Sequence, residues 1–173
     1  QIMWGGVRDL DPLEADRFRE HRARQVSVQD IRDLSENFRA QFNALASEVE
    51  NLVLTGTANL NATGNALNNV LTGNAGRNIF DGGLGTDTLI GGGGNDTYLI
   101  ADNGDLIIED VGAGTDLVQT TAAVFSMASI ANVENLTFTG AGSFAGTGNG
   151  LANIITGGVS DDLLDGGAGN DSL

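Results

Sequence analysis

From Gly64 to Leu99 the chain repeats itself every nine residues, and the last two copies read GGLGTDTLI (82–90) and GGGGNDTYL (91–99). Both fit the pattern G-G-x-G-x-D-x-U-x, where U is a large apolar residue. So short a unit restricts the fold severely. A six-residue loop and a three-residue strand leave too little chain for a hairpin or for a βαβ crossover. They suit a parallel solenoid whose strands alternate between two faces, so that successive units lie on opposite sides and residues eighteen apart stack. The glycines permit positive backbone angles in the loop, the carboxylate after them can meet a cation, and the apolar position turns inward from the strand.

Earlier copies keep the register but not the charge. GNALNNVLT (64–72) and GNAGRNIFD (73–81) carry Asn69 and Asn78 at position six. A neutral amide can close a turn or offer one carbonyl oxygen, but it brings no charge to a cation. Ile100 to Ile108 retains Gly104 and Asp105, and residues 111–119 form a copy shifted by two that ends its loop in Asp116. A longer period overlies the short one. Val49-Glu50-Asn51-Leu52 recurs as Val133-Glu134-Asn135-Leu136, and 19 of the 41 residues from 49 to 89 are identical at an offset of 84. The downstream block holds nonapeptides at 148–156, 157–165 and 166–173, which place Asp162 and Asp171 at position six. A chain that starts without Met and stops one residue short of a full unit is expected to belong to a longer protein.

Stacking decides the chemistry. Asp96 is expected over Asn78, Asp87 between Asn69 and Asp105, and Asp171 beside Asn153, with Asp162 in the opposite row. Strands ~4.8 Å apart bring such carboxylates together, and at an effective dielectric of ~20 each like-charged pair costs on the order of 3 kcal/mol. Calcium reverses the sign, because it takes six to eight oxygen ligands and accepts carboxylates and backbone carbonyls together. The candidate ligand set is therefore Asp87, Asp96, Asp105, Asp116, Asp162 and Asp171. Asn78 joins it, together with the loop glycines Gly82, Gly83, Gly85, Gly91, Gly92 and Gly94, whose carbonyls can turn inward.

Composition narrows the classes of function. The 26 glycines among 173 residues, with a single proline, favour a regular fold with many tight turns over a disordered tract. There is no cysteine, which removes disulfides, thiolate metal sites and thiol nucleophiles. All eight basic residues are Arg, and seven lie in the first 39 residues. From Ala46 onward fifteen acidic residues face Arg77 alone, a balance that repels nucleic acid and anionic membrane and attracts hard cations. No apolar run approaches the ~20 residues of a membrane-spanning helix. The only histidine, His21, stands in an Arg-rich stretch, and neither a His-Glu-x-x-His nor a G-x-S-x-G motif occurs, so catalysis within the chain is not expected.

Residues 1–45 differ from the rest. Asp11-Pro12-Leu13-Glu14 has the form of a capping box with proline at the first helical position, and a first helix is expected to about Gln25. Ser27 opens a second, whose Ile31, Leu34, Phe38, Phe42 and Leu45 form an apolar stripe. Such a segment can cap the repeat stack, or dock a separate protein partner. The expected organisation is a helical segment at 1–45, a first roll block at 46–119, an irregular connection at 120–132 and a second, incomplete block at 133–173.

On these motifs residues 49–173 resemble the RTX, or haemolysin-type, calcium-binding repeat proteins, including the variant in which V-E-N-L and T-G-N segments alternate with nonapeptides. The resemblance implies a mainly β fold, a right-handed parallel β-roll, calcium as the bound ion, type I secretion from a Gram-negative bacterium, and folding when extracellular calcium is met. The function expected is that of a non-enzymatic calcium-binding structural module of a secreted or cell-surface protein. Two other roles stay open: a subunit of a surface layer, filament or larger complex, or the accessory repeat region of a secreted enzyme whose catalytic domain lies elsewhere.

Overall fold

The computed structural model describes residues 25–27, 48–101 and 104–173. Within them the nine-residue period becomes a ladder of strands three or four residues long, each begun after a tight loop. In chain order they are β1 (Gln25–Ser27), β2 (Asn51–Val53), β3 (Asn61–Thr63), β4 (Val70–Thr72), β5 (Ile79–Asp81), β6 (Thr88–Ile90) and β7 (Thr97–Ile100). They continue as β8 (Leu106–Ile108), β9 (Leu117–Thr120), β10 (Val124–Ser126), β11 (Asn135–Phe138), β12 (Ala145–Thr147), β13 (Ile154–Thr156) and β14 (Leu163–Asp165).

Strands alternate between faces, as a loop too short to turn back on itself requires. One face is the sheet β1-β2-β4-β6-β8, the other the sheet β3-β5-β7-β9-β11-β13, and a third sheet, β10-β12-β14, begins beyond β8. Every pairing is parallel. Val70 pairs Thr88 and Ile79 pairs Thr97, eighteen residues apart in each case. Between β7 and β9 the step lengthens to twenty, since Thr97 pairs Leu117. The two extra residues are absorbed in the loop after β8.

A three-residue strand turns only its middle side chain inward. Leu52, Leu71, Leu89 and Ile107 from one face share a single core with Ala62, Phe80, Tyr98, Val118, Leu136 and Ile155 from the other. Stacked strands stack their aromatics: Phe80 and Tyr98 lie 5.2 Å apart and 10° from parallel. Phe138, at the end of β11, also stacks on Phe144, in the loop before β12, at 4.6 Å and 7°. The outer positions are mixed, polar at Thr72, Asp81 and Thr88 but apolar and exposed at Leu106, Val124 and Leu163.

Two features depart from the sequence expectation. Gln25–Ser27, where helical periodicity put the junction between two helices, is a strand that pairs with β2. The expected helices on either side of it, and with them the proposed protein-docking surface, lie outside the described residues. The stretch 120–132, expected to be irregular, contains β10, which starts the third sheet. There is no helix among the described residues, hence none long and apolar enough to cross a membrane.

Candidate metal centre

The loop motif follows from two steric demands. At position two of the turns from 82 to 99 the chain passes over the carbonyl of the turn below with positive φ, at Gly83 (φ 89°) and Gly92 (φ 93°); a Cβ on Gly92 would lie 2.6 Å from the Asn74 carbonyl oxygen. Gly85 and Gly94 at position four also have positive φ, at 123° and 104°. At position one the demand is space. A Cβ on Gly82 would overlap the Asp87 carboxylate, and one on Gly166 the Asp171 carboxylate. The first glycine therefore makes room for the acid five residues later.

Position six forms the rungs of the roll. On the first face the Asn69 N–H donates to Asp87 Oδ1 (2.7 Å) and the Asp87 N–H to Asp105 Oδ1 (3.0 Å). On the second the Asn78 N–H donates to Asp96 Oδ1 (2.8 Å), the Asp96 N–H to Asp116 Oδ1 (2.7 Å) and the Asp116 N–H to Glu134 Oε2 (2.8 Å). The Asn153 N–H donates to Asp171 Oδ1 (2.9 Å), and in the third sheet the Phe144 N–H donates to Asp162 Oδ1 (2.8 Å). Each carboxylate thus caps the backbone one turn below it. Asp87, Asp96 and Asp116 are buried, whereas Asp105, Asp162 and Asp171 are half-buried.

Asparagine uses the same position differently. Asn78 Oδ1 accepts from the Asn74 N–H in its own loop (2.9 Å), while its Nδ2 donates down to the Leu60 carbonyl (2.9 Å). Asn153 repeats this with the Asn149 N–H (2.8 Å) and the Glu134 carbonyl (3.1 Å). A carboxylate has no such donor. Asp96 Oδ2 is buried and accepts no hydrogen bond.

Around Asp96 the negative charge is concentrated. Oxygen atoms of Asp96, Glu109 and Asp116 lie within 4.8 Å of one another, and all three residues are buried. Burial pushes the Asp96 carboxyl up to about 6; the Asn78 N–H opposes this and the Asp116 charge adds to it. Burial likewise pushes Glu109 up to about 7, against the hydrogen bond from the Tyr98 hydroxyl and with the charges of Asp116 and Asp96. Asp116 is raised by burial and by Glu134, and Tyr98 by burial and its acidic neighbours. The one basic residue from 46 onward, Arg77, is exposed on another turn. Three buried acids without a basic partner among the described residues can ionise together only if a cation joins them.

Glu109 and Glu134 were not singled out from the sequence. Glu134 could have been, because it stands eighteen residues after Asp116 and immediately before a strand, as Asp96 does. Glu109 stands where the period calls for glycine, in the stretch where the nonapeptides decay.

The architecture and these loops define a parallel β-solenoid whose turns carry carboxylates in stacked rows. Residues 63–98 and 147–173 match the family model of the RTX calcium-binding nonapeptide repeat, in four copies. The chain therefore carries RTX calcium-binding repeats in both of its blocks. No curated protein and no solved structure matches it.

Proposed function

We propose that the chain is a non-enzymatic, calcium-dependent structural module of a secreted or cell-surface protein. Calcium would be held by position-six carboxylates and by glycine-loop carbonyls. Asp87 and Asp96 are the central ligands, Asp105, Asp116, Asp162 and Asp171 the further ones, and Asn78 contributes an amide oxygen. The observation that carries this reading is the buried Asp96 oxygen without a hydrogen-bond partner beside two further buried acids. Inside a cell, where calcium is scarce, repulsion between the acidic turns would keep those turns open and the roll weak enough for type I export. Outside, each site would stabilise the roll by RT ln(1 + [Ca]/Kd), about 2.7 kcal/mol at a hundredfold excess over Kd.

The test is far-ultraviolet circular dichroism during a calcium titration after chelation, with magnesium as control. A gain of β structure driven by calcium and not by magnesium is the expected result, as the carboxylate turns order onto a roll that the apolar core and the Asn rungs hold partly folded in chelator. An unchanged β spectrum in chelator would overturn the folding switch and leave the apolar core and the Asn rungs as the source of stability.

A further inference from the structure

Glu109 follows β8 and occupies the level that Gly91 holds one turn earlier. Three features of the fold converge on it. The Tyr98 hydroxyl donates to its Oε1. Gly91 leaves the space it fills, for a Cβ there would overlap both Glu109 Oε1 and the Tyr98 hydroxyl. Asn132, in left-handed backbone with φ 60°, donates from Nδ2 to the Glu109 carbonyl at 2.8 Å. The second carboxylate oxygen, Oε2, is buried without a hydrogen-bond partner, as Asp96 Oδ2 is, in side chains only 8% and 1% exposed.

We propose that Asp96, Glu109 and Asp116 together hold one calcium ion, with Glu109 supplying a carboxylate from outside the nonapeptide motif and Tyr98 positioning it. Three oxygens within 4.8 Å of one another lie within ~2.8 Å of a common centre, so a small inward shift brings each to the ~2.3–2.6 Å usual for calcium–oxygen bonds. The donor set is all oxygen, which suits a hard cation. Three carboxylates leave room for the carbonyls or water that complete six to eight ligands. The site lies where the step between turns lengthens from eighteen residues to twenty, so the ion fastens the one level of this face at which the loop carries two extra residues. This inference rests on the calcium-module reading and adds a site that the repeat motif does not contain.

Terbium, a calcium-sized luminescent ion, tests it in the full 173-residue chain carrying Trp4→Phe, which leaves Tyr98 as the sole tyrosine and no tryptophan. Energy transfer from Tyr98 reports only ions close to its ring. Tyrosine-sensitised emission that excess calcium displaces is expected. Glu109→Gln and Asp116→Asn should each weaken the terbium titration at least about tenfold, whereas Asp161→Asn, at an exposed acid before β14, should leave it unchanged. A calcium-driven β transition without sensitised emission, or emission indifferent to Glu109→Gln, would overturn the site and leave the module reading intact. Absence of both the transition and the emission would overturn the module reading and the site with it. Should Glu109→Gln fail to fold in calcium, the titrations of the Trp4→Phe chain and of Asp116→Asn decide.

Discussion

The turns from 64 to 81 and those from 82 to 116 stack in the same two ladders but differ in their loops, since Gly83, Gly85, Gly92 and Gly94 take positive φ where Asn65, Leu67, Asn74 and Gly76 do not, and they differ in how position six is satisfied. In the first, Asn69 and Asn78 each present both an acceptor and a donor. Asn69 Oδ1 accepts from the Asn65 N–H at 2.8 Å and its Nδ2 donates to the Val49 carbonyl at 3.1 Å. In the second, Asp87, Asp96, Asp105 and Asp116 can only accept. The amide turn closes with its own hydrogen bonds, whereas the carboxylate turn gathers negative charge that something outside the chain must balance. One ladder thus holds both a permanent staple and a switch, and the change from one to the other brings glycines at positive φ together with an amide nitrogen replaced by an oxygen.

The largest test of this contrast is calcium removal followed by hydrogen exchange. Amides of β6 and β7 should lose about a hundredfold in protection in chelator, the equivalent of the ~2.7 kcal/mol expected per site. Those of β4 should lose less. Equal losses across the roll would make its turns one cooperative unit and erase the distinction.

Asn69→Ala removes a buried amide that both accepts and donates, and leaves the Asn65 N–H and the Val49 carbonyl without it. A loss of about 2 kcal/mol is expected in thermal or denaturant unfolding, the same with and without calcium. A loss confined to the calcium-free protein would contradict the staple.

Asp96→Asn should have opposite signs in the two conditions. Without calcium it gives the rung a donor and relieves repulsion, and a gain of about 1 kcal/mol is expected. With calcium it removes a ligand, and the calcium-induced rise in unfolding midpoint should shrink. A variant destabilised in both conditions would show that Asp96 acts through its cap on the Asn78 N–H alone.

The smallest effect is that of pH on the calcium-free protein. Asp96 and Glu109 titrate at about 6 and about 7 in the folded chain, above the ordinary values of 3.8 and 4.5. The folded state therefore binds more protons than the unfolded one. Their contribution to stability is full below about pH 4 and is lost as pH rises through 6 to 7. Chelated protein should unfold at a higher denaturant concentration at pH 5 than at pH 7.5, and calcium should flatten or reverse the slope. A midpoint that rises with pH in chelator would contradict the burial of these acids.

Much of this was legible because a nine-residue unit leaves a chain few choices. The alternation of faces, the inward Leu71, Phe80, Leu89 and Tyr98, and the stacking of Asp96 on Asn78 all follow from the period alone. What the period cannot carry is what happens where it breaks. Glu109 stands in place of a glycine, so its carboxylate lies in a loop that no copy of the motif describes. Its inward course depends on Tyr98 and on the space above Gly91, both contributed by an earlier turn. The third sheet depends on Val124–Ser126, where the spacing to the next strand of the same face is twenty-one residues, and no count of nines would find it. β1 likewise owes its place to pairing with β2, a tertiary contact that local helical periodicity does not contain.

The interruption between β8 and β10 also governs how the molecule would bear tension. The ladder hydrogen bonds run along the solenoid axis, so a pull applied end to end opens them rung by rung. At nearly every level two ladders, one on each face, share the load. Between β8 and β10 no strand pairing crosses on one face, and only the ladder of β9 with β11 continues across. In single-molecule stretching that level is the fuse: the first rupture should part the roll there and leave two shorter stacks intact.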